Sequence, residues 1–141
     1  MYGSYINVRT IDKIILHCSA SDKYFYDFKL METDHVDHRG WNSIGYHFGI
    51  DYQGEIKILR PIKKPGAHCK GHNFSSIGIC VLGLKVFSQK QMEALAKLVQ
   101  TFLDIFDLTQ DDVYGHNHFN HSKACPVFDV DKWKEKYLTK E

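Results

Sequence analysis

The sequence predicts an α/β domain, and three stretches carry that prediction. Lys13-Ile-Ile-Leu-His-Cys18 and Ile77-Gly-Ile-Cys-Val-Leu82 are short, continuous, apolar runs of the kind that form strands buried on both faces. Met92, Leu95, Ala96, Val99, Phe102, Leu103 and Phe106 recur at three- and four-residue intervals, which gathers them into one helical stripe able to cover a sheet face. The chain has 141 residues, enough to bury a core without disulfide staples, so residues 1–141 are expected to form a single domain.

In chain order, the first strand ends where polar Ser19, Ser21 and Asp22 begin, which puts His17 near its C-terminal end. Asp27 to Arg39 can form a helix that Gly40 stops. Gly45 to Ile50, the turn Asp51-Tyr-Gln-Gly54 and Glu55 to Leu59 read as a β-hairpin, with Tyr46 and His47 on opposite sides of it. After the second buried strand, Ser88-Gln-Lys-Gln91 has the spacing of a capping box, in which a serine oxygen and a glutamine side chain satisfy free amides at a helix start. Asp107 to Asp112 reads as a polar connection, Val113-Tyr114 as a short strand, Gly115 to Phe128 as irregular, and Asp129 to Tyr137 as a last short helix.

Composition excludes several classes. With 43% hydrophobic and 25% charged residues the chain is neither a disordered tail nor a membrane span, and its apolar runs are too short to cross a bilayer, so no membrane insertion is expected. A net charge of +1 supplies no basic field for nucleic acid. Met1 to Arg9 lacks the basic and apolar regions of a secretory signal, which predicts a cytoplasmic chain. There Cys18, Cys69, Cys80 and Cys125, which include no CxxC pair, read as free thiols.

A catalytic zinc ion takes three protein ligands and leaves a fourth position for water. His17 and Cys18 are neighbours in a strand and point to opposite faces, so only one of them reaches a given ion. Cys125 lies in Lys123-Ala-Cys-Pro126, downstream of Gly115-His-Asn-His118 and of His121. His17, one histidine of that segment and Cys125 would complete a site. A lone buried histidine or cysteine is more often a packed core residue, and these residues by themselves leave both readings open.

Four ordered blocks carry a family resemblance: Ile15-Leu-His-Cys-Ser19; Gly40-Trp-Asn-Ser-Ile-Gly-Tyr-His-Phe48; Gly66-Ala-His68 with Asn73-Phe-Ser-Ser-Ile-Gly-Ile-Cys80; and Gly115-His116 with Lys123-Ala-Cys-Pro-Val-Phe-Asp129. Together they resemble the zinc-dependent N-acetylmuramoyl-L-alanine amidases, in particular the short amidase-type phage lysozymes related to peptidoglycan recognition proteins. The resemblance runs from Lys13 to Trp133. It implies a mixed central sheet flanked by helices, a groove for peptidoglycan, and cleavage of the amide between N-acetylmuramic acid and the L-alanine of the stem peptide. It implies Zn2+ as cofactor, with His17, His116 and Cys125 as ligands, Tyr46 and Lys123 as catalytic residues, and His68 and Asn73 beside the substrate. The stretch from His116 to Cys125 is slightly longer than the family pattern, and His118 is the alternative to His116.

The remaining reactive groups have plainer readings. His35 and His38 are expected on a solvated face, His47 on the far side of the sheet from Tyr46, and His72 in a loop near the groove mouth. Cys18 and Cys80 read as small core hydrophobes. The rival functions are a peptidoglycan-binding module without turnover, a lysin that also binds a polymerase, and a cysteine hydrolase built on Cys125. Non-catalytic relatives commonly lack the cysteine ligand, which this chain has. The lysin reading implies a monomer that reaches the wall with the help of a holin.

Overall fold

The computed structural model describes residues 9–21, 23, 26–40 and 43–138. The readings that fall on residues 1–8, Asp22, Trp41 and Asn42 lie outside the described residues. The elements in order are β1 (Lys13–Cys18), α1 (Phe28–Glu32), β2 (Phe48–Ile50), β3 (Ile56–Ile58), β4 (Ser76–Val81), α2 (Gln89–Phe106), β5 (Val113–Gly115), α3 (His116–Phe119) and α4 (Val130–Tyr137). The strands form one mixed sheet in the order β3-β2-β4-β1-β5. β1 is parallel to both β4 and β5, β2 is parallel to β4, and β3 pairs antiparallel with β2.

The two apolar runs occupy the middle of the sheet because both their faces are covered. Ile14 and Leu16 of β1 and Ile77, Ile79 and Val81 of β4 pack with Leu95, Val99, Phe102 and Leu103 of α2 and Trp133 of α4. Each such side chain taken fully out of water is worth about 1.5–3 kcal/mol. On the other face Cys80 packs with Phe28, Met31, Ile44 and Leu82. α2 starts at the expected capping box: Ser88 Oγ accepts the Gln91 N–H and the Ser88 N–H donates to Gln91 Oε1. Asp107, at φ 57°, ends it.

Three stretches differ from expectation. Asp27 caps α1 by accepting the Leu30 N–H, but α-helical geometry stops at Glu32 and widens into a π-helical turn over Thr33–His38, after which Gly40 leaves at φ +73°. In this turn His35 is buried and its Nδ1 accepts the Gly45 N–H at 3.2 Å, so the solvated-face reading describes His38 and not His35. β2 begins only at Phe48, and strand alternation therefore does not extend back to Tyr46 and His47. Both rings border His68, with centroids 6.4 and 5.9 Å from it. Within the stretch read as irregular, His116–Phe119 forms the short helix α3.

Candidate active site

Because β1, β4 and β5 run parallel, their carboxyl ends open on one edge of the sheet, the usual place for a site in an α/β fold. His17 lies near that end of β1, on the face opposite Leu16, and is 1% exposed. His116 directly follows β5 and starts α3. Cys125 is brought in by its loop, where the Asn117 N–H donates to Cys125 O at 2.9 Å and the Cys18 N–H donates to Cys125 Sγ at 3.0 Å. One donor atom from each of His17, His116 and Cys125 lies within 4.8 Å of the others. The His17 and His116 rings are 4.6 Å apart.

His118 and His121 are exposed and do not belong to this cluster; His118 instead packs on Tyr114 at 4.8 Å and on Phe119 at 4.9 Å. Tyr46 lies beside the cluster, its ring 4.9 Å from His17. Lys123 is exposed on the loop before Cys125, and its charge acts on His116. His68 is buried, with Nδ1 2.8 Å from His17 Nε2. The Oδ1 of Asn73 accepts the N–H groups of His68 and Cys69, each at 2.8 Å, and so holds the 68–73 loop in shape. His72 sits in this loop against Phe119, with rings 4.0 Å apart.

The electrostatics favour neutral imidazoles, the form that ligates metal. Burial, then His68 and His116, hold His17 well below the usual histidine range, and burial followed by the charge of Lys123 lowers His116. Burial pushes the Tyr46 hydroxyl well above its ordinary range, so it stays protonated and can donate. The Cys18 side chain beside it and burial push the Cys125 thiol up, against the Cys18 N–H, which favours the thiolate.

The residues fit a zinc-type cation. Among the described residues, His17 Nδ1 is a buried polar atom with no hydrogen-bond partner, an arrangement that costs stability unless something outside the chain takes it up. Two imidazoles and one thiol are the donor set of an open catalytic zinc site.

Sequence reasoning passed over two residues. Ser76 was visible inside the Asn73–Cys80 block without a role, and its Oγ lies 3.1 Å from His68 Nε2. Arg9 carried no motif, yet it is 4% exposed, and it donates to Ile62 O, Phe74 O and Ser76 O while lying 3.1 Å from His47 Nε2.

Residues 7–128 match the N-acetylmuramoyl-L-alanine amidase family. The chain is 33% identical over 134 residues to the endolysin of Escherichia phage T7, covering 89% of this chain and 86% of that protein. It is 32% identical over 136 residues to the endolysin of Enterobacteria phage T3, covering 90% and 87%. Its structure superposes on the N-acetylmuramoyl-L-alanine amidase LysC from Clostridium intestinale URNW with a TM-score of 0.81 at 26% identity, covering 92% of this chain and 86% of that one. The chain belongs to the N-acetylmuramoyl-L-alanine amidase family and is one of its enzymes, a peptidoglycan hydrolase.

Proposed function

We propose that the chain is a zinc-dependent phage or prophage endolysin that hydrolyses the amide between the lactyl group of N-acetylmuramic acid and the L-alanine of the stem peptide. The observation that carries this reading is the convergence of one donor atom each from His17, His116 and Cys125, together with a buried His17 Nδ1 that has no partner among the described residues. These three residues would hold the ion. A zinc ion bound there supplies Lewis-acid activation of water and of the scissile carbonyl.

The other residues divide the remaining work. Tyr46, kept protonated by burial, donates a hydrogen bond to the carbonyl oxygen as it gains negative charge. Lys123 brings a positive charge to the same opening from its exposed loop. His68 and Asn73 are the residues that the family resemblance sets beside the substrate. No helix among the described residues is long and apolar enough to cross a membrane. The same reading has the enzyme made in the cytoplasm and reaching the wall through a holin.

Digesting purified peptidoglycan and identifying the new chain ends tests this reading. Free L-alanine amino termini together with intact lactyl-muramic acid are expected. New reducing sugar ends in their place would contradict it.

A further inference from the structure

Four groups form a continuous hydrogen-bonded line behind the cluster. Ser76 Oγ lies 2.7 Å from His72 O, and because a carbonyl only accepts, the single hydroxyl proton goes there. Ser76 Oγ also lies 3.1 Å from His68 Nε2 and must accept in that contact, which places the ring proton of a neutral His68 on Nε2. His68 Nδ1 is then a bare acceptor, 2.8 Å from His17 Nε2. His17 accordingly carries its proton on Nε2 and keeps a bare Nδ1, the buried atom that has no partner among the described residues.

We propose that Ser76 and His68 are positioning residues that fix the tautomer and ring orientation of His17, so that its Nδ1 lone pair faces the metal. This rests on the reading of His17 as a metal ligand. It also gives His68 a task within the protein: the ring is 8% exposed and committed at both nitrogens.

The surroundings are built for that ring. A methyl group on Gly78 would come within 2.6 Å of His68 ring atoms, and one on Gly66 within 2.5 Å, so both positions are kept clear for it. Asn73 fixes the His68 backbone, and Arg9 fixes the backbone oxygen of Ser76 at 2.8 Å. Groups that orient a metal-bound histidine through its other nitrogen typically contribute about 10- to 100-fold in metal affinity.

The test combines zinc competition against a chromophoric chelator with nitrogen NMR of the histidine rings in the zinc-loaded, full-length protein. The expected spectrum has His17 and His68 both protonated at Nε2. Ser76→Ala and His68→Leu should bind zinc about tenfold more weakly with the fold retained. His68→Asn, whose Oδ1 can stand in for the ring Nδ1, should keep most of the affinity. A His17 protonated at Nδ1 in the loaded protein overturns the relay, even where His17→Ala still abolishes zinc binding and the ligand assignment stands. A His17→Ala protein that holds zinc normally would sink the ligand assignment and the relay together. Should Ser76→Ala fail to fold, the wild-type ring spectrum decides by itself.

Discussion

The backbone N–H of Cys18 donates to the Sγ of Cys125 over 3.0 Å, tying the loop that carries the sulfur to the strand that carries His17. The bond fixes the position of the sulfur and favours its thiolate, the form that binds metal. Cys125→Ser has a shorter bond to a harder donor atom, so it should lose most of the zinc while keeping its circular dichroism spectrum. His118→Ala should keep its zinc, because that ring packs on Tyr114 outside the cluster. Elemental analysis of both variants checks this, and a metal-free His118→Ala protein would move the second ligand to His118.

Tyr46 and Lys123 separate turnover from metal binding. An interaction made mainly in the transition state lowers turnover with little effect on substrate binding. Tyr46→Phe and Lys123→Ala should retain zinc and bind peptidoglycan, and should cleave it at least about tenfold more slowly. Unchanged cleavage rates would remove both residues from the mechanism.

His47 makes stability depend on pH. Burial lowers its folded pKa from 6.5 to about 4, opposed by the bond of its Nε2 to Lys64 O. Between those values the unfolded chain binds more protons than the folded one, so stability falls as pH drops through that window and the loss is complete below about 4. The loss from this residue is on the order of 3 kcal/mol. Thermal midpoints measured from pH 7 to pH 4 should decline, and the decline should be shallower in His47→Gln; equal slopes would show that His47 is not responsible.

Among the described residues Arg9 is a buried cation satisfied by carbonyl oxygens rather than by a carboxylate, and burial lowers its pKa to about 10, still well above neutrality. Arg9→Met leaves Ile62 O and Ser76 O without their donor and should cost on the order of 3 kcal/mol in a denaturant titration. Because those oxygens flank the 66–76 loop, the variant should also weaken zinc binding through His68. A loss of stability below about 1 kcal/mol would mean that water replaces the guanidinium.

The central sheet was legible in the sequence because β1 and β4 are apolar on both faces and the α2 stripe has one unbroken period. Residues 33–40 and 43–47 were harder to read. There the pattern is set by single buried contacts, such as His35 Nδ1 with the Gly45 N–H, which override both helical period and strand alternation. In the site, the motifs named His17, His116 and Cys125, and the fold brings their donor atoms together. The line from Ser76 through His68 to His17 has no sequence signature, since its two links join residues 8 and 51 apart through ring nitrogens whose protonation only the surrounding acceptors determine. Arg9 escaped notice for a similar reason: its partners are backbone oxygens, which every sequence has.

The most direct test of the zinc mechanism is a titration of zinc into chelator-stripped protein, followed by the initial rate of L-alanine amino-terminus release from peptidoglycan. The rate should be absent without metal, rise linearly with added zinc, and break sharply at about one ion per chain, as expected for one open three-ligand site. Full cleavage by protein verified to be metal-free would contradict the assignment of His17, His116 and Cys125 as a catalytic zinc site.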